Sequence, residues 1–395
     1  MKPIPYGCQF IGEEDIQAVI ETLQSDFMTQ GPKVSEFEQA VAKYHDCKYG
    51  VAFSNGTAAL HGAYAVSGLK DSEKFLTSPI TFVATANAGV YVGGIPDFVD
   101  ICSDSYNMDL EKLKQKFTSE YKVVTPVSFA GYPVDIMKVR EIVGKDCFII
   151  HDAAHAIGAK IQERSIVEGS DATILSFHPV KHIACGEGGM VLTNREDIYD
   201  ALLQFRSHGI TKNPNQMQKV EGPWYYEMQT LGFNYRLTDL QSALGISQLK
   251  KLNQSLYRRN QIAKKYIELL KDETWLQLPK PISQLDWLDN AEYMNLRHMP
   301  SDLHAYHLFP IQVKNKNMRK ALFEYLIAEN IHVQVHYIPV YQLPFYQKEF
   351  LVSADEYPVA QAFYEREISL PMFPTLTEEQ QNYIVYKIKQ FQFHK

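Results

Sequence analysis

The chain has 395 residues, of which 45% are hydrophobic and 22% charged, and a formal net charge of −7. This is ordinary globular usage and excludes a disordered chain, a fibre and a coiled coil. Thirty-nine basic residues against 46 acidic ones give no nucleic-acid footprint, and at about 150 residues per domain the length implies two or three domains.

The opening MKPIPYGCQF lacks the apolar run of a signal peptide. No stretch reaches about 18 continuous apolar residues, so no membrane span is predicted. Cys8, Cys47, Cys102, Cys147 and Cys185 are odd in number and irregular in spacing, with no CxxC. A disulfide framework or structural zinc site is therefore not expected, and the reading is a cytoplasmic enzyme in a reducing compartment.

Ile16, Val19, Ile20 and Leu23 have helical spacing, which predicts a helix over 13–24, and a second follows over 34–44. A strand over 49–54 breaks at Asn55-Gly56-Thr57 and passes into a helix over 58–66. The alternation continues with strands over 75–77, 97–101, 122–128 and 147–151, and helices over 84–92, 110–117 and 134–143. Repeated β-α-β order implies a mainly parallel sheet covered by helices on both faces. Such sheets bind ligands beyond the carboxyl ends of their strands. Strands over 172–177 and 189–193 follow, then helices over 195–207 and 236–271. Residues 272–306 read as irregular. A strand over 307–313, a helix over 318–329, a strand over 331–338 and helices over 355–366 and 377–391 complete the chain. The expected architecture is a large α/β domain over 1–250 and a smaller α/β domain over 251–395.

Three segments carry chemistry. Ser54-Asn55-Gly56-Thr57-Ala58-Ala59-Leu60 joins a strand to a helix, where unpaired N–H groups accept phosphate; the plainer reading is an N-cap and a tight turn. It is neither a P-loop nor a GxGxxG fingerprint. Cys147–Ala156 is an apolar strand ending in Asp152, a carboxylate that suits a protonated ring nitrogen or, more plainly, a helix cap. In Ser176–Gly189, Lys181 sits among small and apolar residues in a glycine-rich turn. A desolvated lysine loses its proton and forms a Schiff base with an aldehyde. Lys181, Asp152 and Gly56-Thr57 at one sheet edge suit pyridoxal phosphate, bound through its aldehyde, ring nitrogen and phosphate respectively. A competing reading is a metal-dependent hydrolase using His151, His155, His178 and His182, although the HExxH glutamate is missing.

These segments, with Thr29-Gln30-Gly31-Pro32, Ser78–Asn87, Gly232-Phe233-Asn234-Tyr235-Arg236, Gln334-Val335-His336-Tyr337 and Ser369-Leu370-Pro371, resemble the DegT/DnrJ/EryC1/StrS sugar aminotransferases over nearly the whole chain. The resemblance implies the fold-type I pyridoxal-phosphate transferase fold. By that resemblance Lys181 is the Schiff-base lysine and proton shuttle, and Asp152 faces the ring nitrogen. His155 approaches the phenolic oxygen, Phe82 stacks on the ring, and Gly56, Thr57 and Ser176 hold the phosphate. Asn234 reaches the phosphate of a neighbouring subunit, which implies a homodimer with shared active sites. Tyr6, Thr29, Gln30, His208, His336 and Tyr341 are implied for the substrate cleft. Asn55 departs from the family, which often has Ser or Ala there. Some family members are dehydratases with His in place of the lysine; Lys181 favours transamination. The implied reaction takes the amino group of L-glutamate to a nucleotide-linked 4-keto-6-deoxy sugar. Phe205–Gly209, Leu237–Gly245 and Gln334–Tyr341 point within the family to the UDP-sugar branch of pseudaminic acid biosynthesis. The same chemistry on another UDP- or dTDP-keto sugar is the near alternative. A non-catalytic cofactor-binding regulator is a further one, for which no helix-turn-helix segment is evident.

Overall fold

The computed structural model describes residues 2–290 and 299–393. Its main sheet has seven strands: β1 (Tyr49–Phe53), β2 (Lys74–Thr77), β3 (Ile95–Phe98), β4 (Tyr121–Thr125), β5 (Phe148–Asp152), β8 (Ala172–Ser176) and β9 (Gly189–Thr193). The order is β1-β9-β8-β5-β4-β2-β3. Strands β3, β2, β4, β5 and β8 are mutually parallel. Strand β9 runs against both β8 and β1, so β1 points the same way as the parallel set. Six carboxyl ends therefore open on one edge of the sheet.

The strands are buried on both faces, as a helix-covered parallel sheet requires. On one face α3 (Gly56–Val66), α4 (Ala84–Tyr91) and α7 (Glu196–Arg206) pack through Leu60, Tyr64, Ala88 and Leu202. The other face carries α2 (Pro32–Tyr44) through Phe37 and Val41, together with Phe177 and Ile183 from the loop after β8. Helices α5 (Leu110–Lys116) and α6 (Ile136–Val143) cover the β4 region through Leu113 and Val139. Helix α1 (Glu13–Leu23) lies against α8 (Asp239–Lys250), where buried Asp15 accepts from Lys251 and from Gln248 at 2.8 Å. Ile16, Ile20 and Leu23 on its other side are exposed.

A separate core gathers α9 (Leu252–Leu270), α10 (Asn317–Ala328), α13 (Glu378–Phe393) and the antiparallel sheet β12 (Leu276–Gln277), β13 (Phe309–Val313), β14 (Glu367–Leu370). Ile4 enters it from the N-terminal segment. The helix expected over 236–271 is interrupted at Lys251, between α8 and α9, and Leu252 and Leu256 at the start of α9 still pack in the core of the main sheet.

The expected strand over 331–338 is not one. Ile331 and Val333 are buried in alternation, so the period-2 pattern is real, yet β13 is already flanked by β12 and β14. The segment instead makes single bridges, Ile331 to Ile4 of the N-terminal segment and Gln334 to Ser369 of β14. Strand β14 and helix α11 (Pro344–Phe350) were not anticipated, nor were two short hairpins, β6 (Lys160–Ile161) with β7 (Arg164–Ser165) and β10 (Ile210–Thr211) with β11 (Glu227–Met228). Strand β3 lies two residues before its expected start. The stretch expected to be irregular contains β12 and a 3-10 turn over Leu285–Asp289, and its residues 291–298 lie outside the described ones. Helix α12 (Pro358–Arg366) matches its expected place. Among the described residues no helix is long and apolar enough to cross a membrane.

Candidate active site

A cavity of about 770 Å³ opens at the carboxyl edge of the main sheet. The loops after β1, β2, β4, β5 and β8 all reach it, as their common direction requires. Tyr6, His336 and Tyr337 close it from the side of the small sheet.

Helix α3 points its N-terminus into this space. Asn55 is its N-cap, and the Asn55 side chain accepts from the Ala58 N–H at 2.8 Å. Gly56 abuts Ser176: a Cβ on Gly56 would lie 3.2 Å from Ser176 Cβ. Gly189 leaves room behind the turn, where a Cβ would come 2.4 Å from the Asn55 carbonyl oxygen. The first-turn N–H groups, the Thr57 hydroxyl and the Ser176 hydroxyl thus form an anion cradle.

Asp152 ends β5 and is buried. Its Oδ2 accepts from the Thr85 hydroxyl at 2.6 Å, and its Oδ1 accepts from the Ala154 N–H at 3.1 Å. Burial raises its pKa, opposed by these bonds and by the charge of Lys181. Lys181 lies in the loop after β8, the strand beside β5. Burial pulls its amine down to about 7; Asp152 opposes that shift and Arg259 adds to it. Lys181 Nζ lies 3.4 Å from His307 Nε2. His155 stacks against His307 with ring centroids 4.3 Å apart, and its Nε2 meets the Tyr337 hydroxyl at 3.2 Å. Phe82 is 57% exposed, so its ring stands at the open side of the cavity, 6.0 Å from that of Tyr337.

The structure thus brings together Gly56, Thr57, Phe82, Asp152, His155, Ser176 and Lys181, with Tyr6 and His336 on the far wall. It does not bring the other expected residues into this chain's cavity. Tyr341 is buried in an aromatic core, stacked on Tyr357, with its hydroxyl donating to Gln361. Thr29, Gln30, His208 and Asn234 are exposed and outside the lining. Thr29 bridges Thr238, and Asn234 bridges Ser207. The four histidines of the metal reading do not converge. His151 is taken up by Ser128 and the Ile166 carbonyl, and His178 is exposed. Among the described residues no group of three or more His, Cys, Asp or Glu side chains is placed to hold a metal.

Sequence reasoning missed Thr85, Tyr337 and His307. Thr85 and Tyr337 stand inside quoted motifs, but Thr85 lies in α4, eight residues beyond the end of β2. His307 carries no sequence signal, because its role depends on a distant segment folding under Lys181.

The DegT/DnrJ/EryC1/StrS aminotransferase family model matches residues 9–389. The chain belongs to this family. It is similar to a Campylobacter jejuni UDP-4-amino-4,6-dideoxy-N-acetyl-beta-L-altrosamine transaminase, 34% identical over 93% of this chain and 92% of that one. The solved structure of Helicobacter pylori PseC, an aminotransferase involved in pseudaminic acid biosynthesis, superposes with a TM-score of 0.88. It is 30% identical and covers 98% of this chain and 99% of its own. The Streptococcus pneumoniae sugar aminotransferase Spr1654, solved in PLP and PMP forms, superposes with a TM-score of 0.86 at 26% identity, over 98% of both chains. The fold is therefore that of the fold-type I transferases, and the protein is an aminotransferase.

Proposed function

We propose that this enzyme uses pyridoxal phosphate to move the amino group of L-glutamate to UDP-4-keto-6-deoxy-N-acetyl-L-altrosamine or a close relative, as in pseudaminic acid biosynthesis. One observation carries the reading: Lys181, Asp152 and the N-terminus of α3 converge on a single cavity. The residues fit the cofactor. The Gly56–Ser176 contact leaves a cradle that a Cβ would crowd, and Asp152 is a buried carboxylate whose hydrogen bonds come from the Thr85 hydroxyl and the Ala154 N–H.

When bound, pyridoxal phosphate supplies the carbonyl that receives an amine and a ring that accepts electrons from a broken C–H bond. The chain does the rest. Gly56, Thr57 and Ser176 would hold the phosphate. Asp152, with both oxygens fixed by Thr85 and Ala154, would hold the ring nitrogen, whose positive charge would offset the burial that raises this carboxyl's pKa. Lys181, about half unprotonated near pH 7, would hold the group's carbonyl carbon through Nζ and, when free, would take and return a proton there. Phe82 and His155, both in the cavity lining, would border the ring.

The PseC and Campylobacter likenesses support the pseudaminic branch. Support for a homodimer comes from exposed apolar side chains, Ile16, Ile20 and Leu23 on α1 and, elsewhere in the chain, Trp224 and Leu231, the last two 72% and 80% exposed. Exposed Asn234 would then serve the partner's phosphate. Five free cysteines fit a reducing cytoplasm.

The experiment is a panel of UDP- and dTDP-keto sugars with L-glutamate, run on wild type and Lys181→Ala. Wild type should form 2-oxoglutarate and a 4-amino sugar, fastest with the UDP-altrosamine-type ketone, and Lys181→Ala should form neither. Retained turnover in Lys181→Ala would overturn the reading, and a faster dTDP substrate would overturn the branch.

A further inference from the structure

We propose that buried Glu367 sets, through Ser369, whether His336 donates or accepts a hydrogen bond at the wall of the substrate cleft. The inference rests on reading this cavity as the keto-sugar site. Nothing in the transamination chemistry uses Glu367, which is fully buried on β14.

The geometry is a three-member chain. Ser369 Oγ lies 2.5 Å from Glu367 Oε1, and His336 Nδ1 lies 2.9 Å from the same Oγ. The His336 backbone N–H donates to Glu367 Oε2 at 2.8 Å. That bond gives Oε2 a donor and favours Oε1, which faces Ser369, as the oxygen that carries a proton when the carboxyl is neutral. His336 exposes its remaining edge to the cavity beside Tyr6, with ring centroids 5.7 Å apart.

A serine hydroxyl has one proton, and a neutral imidazole has one N–H. Two arrangements follow. With Glu367 ionised, Ser369 donates to Oε1. Its Oγ can then only accept, so the ring proton sits on Nδ1 and Nε2 is bare. With Glu367 protonated, Oε1–H donates to Oγ, Ser369 donates to Nδ1, and the ring proton sits on Nε2. The passage between them balances. The Nε2 proton leaves to cleft water, the Ser369 proton moves to Nδ1, and the Glu367 proton moves to Oγ. The buried carboxyl is thereby ionised without meeting solvent.

His336 itself stays neutral, held down to about 3 by burial and by Lys181. Burial pushes Glu367 up to about 8, against the bonds from Ser369 and His336 and the charge of Arg319 on α10. The other groups facing Glu367 are Tyr337, Tyr106 and Gln312, which pairs with Glu367 across β13 and bonds the Tyr106 hydroxyl. His155 and Tyr6 face His336 from the main sheet and the N-terminal segment. Below about pH 8, Nε2–H thus offers a donor to a ligand oxygen such as a carbonyl. Above that pH, bare Nε2 selects a hydroxyl or amide N–H.

The test is the His336 tautomer in cofactor-free protein, read from ring ¹³Cδ2 shifts of histidine-labelled samples between pH 6 and 9.5. His336→Gln identifies the signal. Wild type should pass from Nε2–H to Nδ1–H with a midpoint near 8 and a tautomer ratio of about ten to one a pH unit away. Glu367→Gln, whose amide N–H₂ faces Ser369, should hold Nε2–H throughout. Ser369→Ala should remove the pH dependence. One unchanging tautomer in wild type, or the same transition in Ser369→Ala, overturns the proposal. If Glu367→Gln does not fold, wild type and Ser369→Ala still decide. No substrate or cofactor is present, so failure here is distinct from failure of the transaminase reading.

Discussion

The depressed pKa of Lys181 is measurable without turnover. An ordinary lysine at 10.5 leaves on the order of one amine in three thousand unprotonated at pH 7, whereas Lys181, at about 7, leaves about half. Cofactor-free protein is exposed briefly to a dilute amine-reactive reagent from pH 5 to 11, with N-acetyl-lysine as internal reference. Peptides are then quantified by mass spectrometry. The Lys181 rate should reach its plateau about one unit above 7, while the reference keeps rising toward 11. The shape of the profile is the readout, because access differs between the two amines. Asp152 favours the charged amine, so Asp152→Asn should move the midpoint further down. The same depression ties stability to pH. Between about 7 and 10.5 the unfolded chain holds a proton that folded Lys181 lacks, so this group's contribution to stability rises with pH. Its limiting slope is about 1.4 kcal/mol per pH unit. A Lys181 profile that coincides with N-acetyl-lysine, or an Asp152→Asn midpoint above wild type, refutes the reasoning.

Gly189→Ala places a Cβ 2.4 Å from the Asn55 carbonyl oxygen and 2.7 Å from the Gly56 nitrogen, so the cradle backbone must move. Affinity for pyridoxal phosphate, read by fluorescence titration, should fall at least about tenfold (about 1.4 kcal/mol). Asp239 is fully buried and accepts from the Gly31 and Lys33 N–H groups at 2.7 and 2.8 Å. Asp239→Ala should cost about 1.5–3 kcal/mol for a charge-assisted bond, seen as a lower urea midpoint with an unchanged m. Mixing Lys181→Ala chains with Asn234→Trp chains should restore activity to about a quarter of wild type, one intact site per heterodimer, if Asn234 serves its partner. A mixture as inactive as its two parents places Asn234 within its own site.

The main sheet was legible because each βα unit repeats one pattern: a short apolar run, then a turn, then a small-residue or amphipathic helix. Residues 49–66 show all three, and the strand-end rule then pointed to Asp152 and to the loop holding Lys181 before any distance was known. The small sheet was not legible. Its strands come from 276–277, 309–313 and 367–370, far apart in sequence, and periodicity says nothing about which run pairs with which. Residues 331–338 have the right alternation and lost the pairing to β14. Tyr341 misled for a related reason. Its motif lies beside His336 and Tyr337, yet Pro339 turns the chain into a 3-10 segment over Val340–Gln342 that carries Tyr341 into an aromatic core.

The position of Lys181 depends on both cores at once. Its loop belongs to the main sheet, but its floor is the segment from His304 to Leu308, which enters β13. Arg259 on α9 is buried and donates through Nη1 to the carbonyls of Tyr306 and Met372 at 3.0 Å and of His307 at 3.4 Å. A guanidinium removed from water is tolerable only with such acceptors, and burial still pulls it down to about 9. His182, next to Lys181, closes the link from the other side through the Ala305 carbonyl at 2.8 Å. The Lys181 amine thus meets, at His307 Nε2, a segment that Arg259 and His182 hold by hydrogen bonds. Arg259 acts on it twice, fixing that segment and adding a positive charge that favours the free base. Arg259 on α9 therefore shifts the Lys181 amine, while Tyr6, His336 and Tyr337 wall the cavity.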